Sequence, residues 1–259
     1  GHDRLAPAVA PGHEVMARAP RFVVPLDGAT CGTVVPLPAP VAHQVSRVLR
    51  LRPGDHLEVL DGTGGSWRAT LDHGATPARA TVTLGGFVPV DAPDQGRPVT
   101  LVLGLLKADK FDWVVQKATE VGVARIVPVV TARSVAMSGR PDRWRRIAIE
   151  ATEQSGRTVV PVIHDPMPFR ASLVLGAPGA MRVACWEDET VVAFRAAIAA
   201  RGPAVPLVLW VGPEGGISME EAAELQASGA ATATLGPRIL RSETAAIIAV
   251  ALAVNPEWA

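Results

Sequence analysis

Leu207-Val-Leu-Trp-Val-Gly-Pro-Glu-Gly-Gly-Ile-Ser-Met-Glu-Glu221 joins an apolar run to a turn and then to a helix start. The run Leu207 to Val211 predicts a strand buried on both faces. Gly212-Pro213-Glu214-Gly215-Gly216 ends it, and Ser218 with Glu221 three residues later forms a capping box that opens a helix. In open α/β sheets, ligands sit outside the carboxyl ends of strands, which is where this turn falls. Its glycines let main chain approach a ligand closely, and Pro213 fixes the turn. No Gly-Lys-Ser/Thr follows and the spacing is not G-x-G-x-x-G, so a phosphate-free ligand with polar edges suits it better than a nucleotide phosphate. An ordinary strand-to-helix turn would account for a glycine or two, but not for the whole run.

The pattern returns at Ala231-Thr-Ala-Thr-Leu-Gly-Pro-Arg-Ile-Leu-Arg-Ser-Glu-Thr-Ala-Ala246. A strand meets Gly236-Pro237, Arg238 and Arg241 follow, and a helix begins near Ser242. That helix is wholly apolar from Ala245 to Val254, which predicts burial. Arg241 lies beside its positive dipole end. An arginine there suits an anion or a reacting oxygen; ion pairing with Glu243 or Glu214 is the structural alternative.

Outward from these two tips the chain alternates. Val99 to Leu106, Arg125 to Val130, Val159 to Ile163 and Met181 to Cys185 read as further strands. Phe111, Val114, Val115, Ala118 and Val121 fit a helix that Gly122 ends, and Pro141 to Ser155 a second with Gly156 behind it. Apolar runs alternating with helices imply an α/β domain with a mostly parallel sheet covered by helices on both faces. Val90 to Pro98 is polar and rich in Pro and Gly, the best boundary in the chain. Before it lie short strands at Arg21-Phe-Val-Val-Pro25 and Ala80 to Leu84, and a hairpin over Leu57 to Leu71 turning at Asp61-Gly62. These predict a small β-barrel domain.

One helix interrupts that barrel. Val41, Val45, Val48 and Leu49 form an apolar stripe, with His43, Arg47 and Arg50 opposite. The cations suit either a solvated face or contact with phosphates. Glu153, Gln154 and Arg157 cluster at the end of the Pro141 helix, where a plain surface terminus would also explain them.

The 259 residues hold 25 basic and 25 acidic side chains, so total charge favours no polyanionic partner and local clusters must carry that case. Lys107, Lys110 and Lys117 are the only lysines and tyrosine is absent, as coding bias toward Arg, Ala, Gly and Pro would give. With 48% hydrophobic and 19% charged residues a large core can form. The longest apolar run, Ala245 to Val254, is too short for a membrane helix. Cys31 and Cys185 have no metal or redox spacing, which fits a reducing cytoplasm and no metal site. Residues 1–15 show no periodicity and read as an added or disordered leader ahead of Met16.

Together these segments resemble the SPOUT methyltransferases, and more closely the bacterial 16S ribosomal RNA uridine N3-methyltransferase family called RsmE. The matching stretches are Ala42 to Asp55, Lys107 to Val123, Arg133-Ser-Val135, Glu150 to Arg157, Gly212 to Gly216 and Leu235 to Ala246, in the family's order. The last two are shared more weakly by other SPOUT enzymes; the lysine helix and Glu-Gln-Ser-Gly-Arg are more particular to RsmE. Ala132 stands where the family often has Glu, and Ser242 where Thr is common.

The resemblance implies a trefoil-knotted SPOUT domain over 93–259, a PUA-like RNA-binding barrel over 16–92 and a homodimer acting on 16S rRNA or the small ribosomal subunit. It implies S-adenosylmethionine held by main-chain groups of Trp210, Val211, Gly212, Pro213, Glu214, Gly215, Gly216, Leu235, Gly236, Pro237, Ile239 and Leu240, with Thr244 also at the site. Glu214 would offset the sulfonium. Arg241, supported by Arg238, would stabilise charge on the uracil oxygens without acting as base. The proton acceptor stays open between Glu243, Glu214 and a partner-chain carboxylate. RNA contacts would come from Arg21, His43, Arg47, Arg50, Lys107, Lys110, Arg133 and Arg157. Two other classes share part of the pattern: a SPOUT ribose 2′-O-methyltransferase, and a non-catalytic RNA-binding assembly factor. Neither is expected to combine the helix at Lys107 with intact glycine turns and Arg241.

Overall fold

The computed structural model describes residues 19–72, 80–89, 98–107, 109–134, 139–202 and 204–255. The leader expected at 1–15 and the boundary residues 90–97 lie outside them.

The first sheet is built from β1 (Arg21–Val23), β2 (Val34–Pro36), β3 (His56–Leu60), β4 (Ser66–Leu71) and β5 (Thr81–Phe87), in the order β1-β3-β4-β5-β2. β1 runs parallel to β3, and the other pairings are antiparallel. The sheet curls around one core that includes Phe22, Leu57, Val59, Val82 and Leu84, with β1 and β2 as its two edges. The β3–β4 turn is fixed by Asp61, whose Oδ1 accepts from the Thr63 and Gly65 amides at 2.7 and 2.9 Å.

Helix α1 (Ala39–His43) departs from its expected stripe. It widens into a π turn over Gln44–Val48, and Ser46 Oγ donates to the Ala42 carbonyl at 2.7 Å. The wider turn breaks the 3.6-residue period. Ala42 and Val45 are buried, whereas Val48 and Leu49 face solvent at 64% and 42% exposure.

The second sheet is wholly parallel: β12 (Ala231–Ala233), β10 (Met181–Cys185), β11 (Leu207–Val211), β6 (Val99–Gly104), β7 (Arg125–Val130) and β8 (Val162–Ile163) lie in that order, with β9 (Met167–Pro168) also on β7. Successive residues alternate between two cores. Leu101, Leu103, Leu207 and Leu209 pack on one face, with side chains of α2 (Lys110–Glu120), α3 (Pro141–Ser155), α5 (Phe194–Ile198) and α7 (Ser242–Val254). Val102, Val127, Val208 and Trp210 pack on the other, against Phe169 of α4 (Phe169–Ser172) and Ala222 and Leu225 of α6 (Met219–Ala227). Burial on both faces explains why these strands are continuous apolar runs. No helix among the described residues is long and apolar enough to cross a membrane.

The two sheets meet through α3 and the β3–β4 turn. Glu153 of α3 accepts the Val23 amide at 2.8 Å, Val160 donates to the Gly62 carbonyl at 2.9 Å, and Thr63 bridges Val159. Burial raises the Glu153 pKa, the Val23 bond opposes this, and the nearby charge of Glu150 adds to it; the net direction is up.

Candidate functional site

A cavity of about 930 Å³ opens at the carboxyl end of the parallel sheet. Its walls are the segments after β10, β11 and β12 together with Lys110, Ser242 and Ala245. The two turns read from the sequence therefore face each other across one space, and a third strand tip closes it.

The Gly212–Gly216 turn is tight because Gly216 donates to the Pro213 carbonyl at 2.8 Å. A Cβ on Gly212 would lie 2.6 Å from the Gly216 carbonyl carbon and 2.7 Å from the Ile217 amide nitrogen, so only glycine fits. Ser218 caps α6 as expected: its Oγ accepts the Glu221 amide at 3.2 Å, and Glu221 Oε2 accepts the Ser218 amide at 3.0 Å. The other Glu221 oxygen accepts the Ala132 amide at 2.8 Å, tying the loop after β7 to α6. That loop delivers Arg133, which donates to the Gly215 carbonyl at 2.7 Å.

Glu214 accepts both the Lys107 amide and Lys110 Nζ at 3.1 Å. Burial pushes its pKa upward, but bonds from its own amide, Lys107 and Lys110, with the Lys110 charge, outweigh this and hold it below the usual carboxylate range. Lys110 also lies 3.9 Å from Glu243 Oε2. The carboxylates that could have paired with Arg241 are thus served by a lysine. Arg238 and Arg241 line the cavity, are exposed, and have no side-chain hydrogen bond or ion pair among the described residues.

Sequence reasoning missed the tip after β10. Trp186 donates its indole to the Ile217 carbonyl at 3.2 Å, and Glu187 rests on Gly216 near Arg133. Glu189 is held ionised by Thr232 Oγ and the Val191 and Val192 amides. The signal was present: Trp-Glu-Asp-Glu-Thr follows directly on the apolar run Met181 to Cys185. Cys185 also lines the cavity, but burial lifts its thiol pKa to about 12, so it is no nucleophile at neutral pH.

Several expected contacts fall elsewhere. Val211, Leu235, Gly236, Pro237, Ile239 and Leu240 line the cavity, whereas Trp210, Thr244 and Glu243 do not. Trp210 belongs to the far core, its indole on Ser172 Oγ at 3.0 Å, because alternation along β11 sends its side chain away. Arg157 is not a phosphate contact: it is 6% exposed and donates to the Thr119 and Val123 carbonyls at 2.9 Å each. Arg21 is likewise buried, against Glu58 at 3.1 Å. Lys110 is engaged with the two glutamates. His43, Arg47, Arg50 and Lys107 are exposed, and Arg133 is half-exposed beside Gly215. No group of three or more His, Cys, Asp or Glu among the described residues could hold a metal ion.

Comparison with known proteins agrees with this geometry. An RNA methyltransferase domain model matches residues 93–254, and an RNA methyltransferase PUA domain model matches 46–79. The chain is 35% identical to a ribosomal RNA small subunit methyltransferase E of Bacillus subtilis over 80% of its own length and 84% of the relative's. With the one from Synechocystis it shares 34%, over 81% and 69%. The chain belongs to the ribosomal RNA small subunit methyltransferase E family. A crystal structure of the family member from Neisseria gonorrhoeae bound to S-adenosyl methionine superposes with a TM-score of 0.80 at 31% identity, covering 90% of this chain and 96% of that one. The Ala132 amide, in the loop that carries Arg133, is held by Glu221.

Proposed function

We propose that the chain methylates N3 of a uridine in small-subunit ribosomal RNA, with S-adenosylmethionine in the cavity between the strand tips. One observation carries this reading: two glycine turns, after β11 and β12, close on a single cavity lined by two arginines that are unpaired among the described residues. The residues present fit the donor. The volume is that of a nucleoside-sized pocket, and main-chain groups of Val211 to Gly216 and Leu235 to Leu240 offer polar edges without phosphate-type charge. Glu187 and Glu189 line it and complement a cation, while the Glu214 charge is shared with Lys110. When bound, the donor supplies an electrophilic methyl group.

The chain's own residues do the rest. N3 of uracil lies on the Watson–Crick edge, so the base must be unpaired or extruded to react. As the N3 proton leaves, charge spreads onto O2 and O4. Arg241, with Arg238 beside it, presents fixed donors to those oxygens and stays protonated throughout. His43, Arg47 and Arg50 on the first domain, with Lys107 and Arg133 at the cavity's edge, contact phosphates. The first domain, 16–92, would bind RNA and 93–259 would carry the chemistry, in the cytoplasm.

Two further features belong to the same proposal. The trefoil knot expected over 93–259 is part of this proposal; after β12 the chain returns as α7 to pack on α2, β6 and β11. The homodimer is supported by α7, apolar all round, with Ile248 at 36% exposure, and by Trp113 of the adjacent α2 at 50%.

The test is methyl transfer from labelled S-adenosylmethionine to small-subunit rRNA, followed by nucleoside mass spectrometry. 3-Methyluridine is expected. A 2′-O-methylated nucleoside, or none, would overturn the reading.

A further inference from the structure

The cluster of Lys110, Glu214 and Glu243 sits where three separate stretches of chain converge. Lys110 is the first residue of α2, Glu214 stands in the turn after β11, and Glu243 lies in the first turn of α7. Lys110 Nζ is 3.1 Å from Glu214 Oε1 and 3.9 Å from Glu243 Oε2. Glu243 Oε2 is buried and has no hydrogen-bond partner among the described residues, so this ammonium is its compensating charge. Two residues before Glu243 stands Arg241, exposed at the cavity and unpaired among the described residues.

Arg241, Lys110 and Glu214 line one cavity, and a guanidinium sharing a site with a carboxylate normally pairs with it, bidentate geometry favouring arginine over lysine. Here the lysine occupies both glutamates. We propose that Lys110 is a positioning residue: by neutralising Glu214 and Glu243 it keeps Arg241 free for the substrate. This role rests on the reading of Arg241 as the group that meets the reacting base.

The first test needs neither donor nor RNA. In a crystal structure of the Lys110→Met protein, Arg241 is expected to swing to within about 4 Å of a Glu214 or Glu243 carboxylate, the range of an ion pair. Arg241 left unpaired there overturns the proposal. The second test is kinetic. Lys110→Met is expected to lower the single-turnover rate about tenfold, equivalent to about 1.4 kcal/mol, with Lys110→Arg retaining most of the rate. In a Glu214→Gln background the same lysine change is expected to cost less than about threefold, because one captor is gone. An equal loss in both backgrounds assigns Lys110 a structural role and refutes the proposal. If the wild-type chain transfers no methyl group, the reading of the site fails instead, and the position of Arg241 in the Lys110→Met crystal still decides the capture itself.

Discussion

Gly104 ends β6 directly beneath the Gly212-Pro213 turn, and the Gly104→Ala substitution probes how closely that turn must sit. An added Cβ would lie 2.5 Å from Pro213 Cδ, 2.6 Å from the Pro213 nitrogen and 3.1 Å from the Gly212 carbonyl carbon. Ordinary contact begins at 3.4 Å, so the turn must retreat by the better part of an ångström. Two of the three obstructing atoms are main chain, which no side-chain rotation can relieve. Overpacking of this kind costs about 1–3 kcal/mol, and alanine in a strand recovers roughly 0.5–1. The net loss, about 0–2.5 kcal/mol, corresponds to a fall in Tm of up to several degrees, about 2–4 °C per kcal/mol at this size. The larger effect is expected on the donor, whose pocket the displaced turn lines: affinity for S-adenosylmethionine should fall at least about tenfold, or 1.4 kcal/mol. Isothermal titration calorimetry measures this, with Gly86→Ala as control, since nothing among the described residues lies within 4 Å of a Cβ at that position. Wild-type affinity in the Gly104→Ala protein would refute the reasoning that this turn forms the pocket wall.

Arg157→Ala takes a buried donor from the Thr119 and Val123 carbonyls, the first of which keeps the Gly122 amide at 3.1 Å, and should destabilise the chain by about 1–3 kcal/mol in urea titrations; a protein of unchanged stability with weakened RNA binding would restore the phosphate role. Arg47→Ala and Arg50→Ala should each weaken RNA binding and lower the slope of log affinity against log salt by about one. An unchanged slope would remove that surface from the interface. Arg241→Ala should lower the single-turnover rate about 100- to 1000-fold while donor affinity stays within a few-fold, as for a lost transition-state donor; equal turnover would defeat its assignment. Glu153 has a folded-state pKa above its ordinary 4.5, so its contribution is full below that value and is lost as pH rises through the folded pKa. Glu153→Gln keeps the acceptor for Val23 without the charge. It should be at least as stable as wild type at pH 8 and lose the decline in stability above pH 4.5; a less stable variant with the decline intact would show that burial does not set this pKa.

The parallel sheet was legible because burial on both faces writes itself as unbroken apolar runs, and the α6 start because a capping box needs Ser218 and Glu221 at one spacing. The cavity-lining turns were legible for a related reason: Gly212 and Gly104 admit no Cβ, although only the first stood out, since Gly104 hides inside an apolar run. Local periodicity failed at α1, where Ser46 bonds back to Ala42 and a π turn carries Val48 and Leu49 into solvent. It also could not show where a charge ends up. Arg157, Arg21 and Lys110 read as surface cations, yet their partners lie 34 to 104 residues away in sequence, at Val123, Glu58 and Glu214. The short α4, α5 and β9 hold too few residues for any period to emerge.

A crystal structure of the chain with S-adenosylmethionine measures the central claim directly. The donor is predicted between Gly212–Gly216 and Leu235–Leu240, its methyl group turned toward Arg241. Density for it at any other place, or a cavity filled by the chain's own rearranged loops with no donor bound, would contradict the assignment.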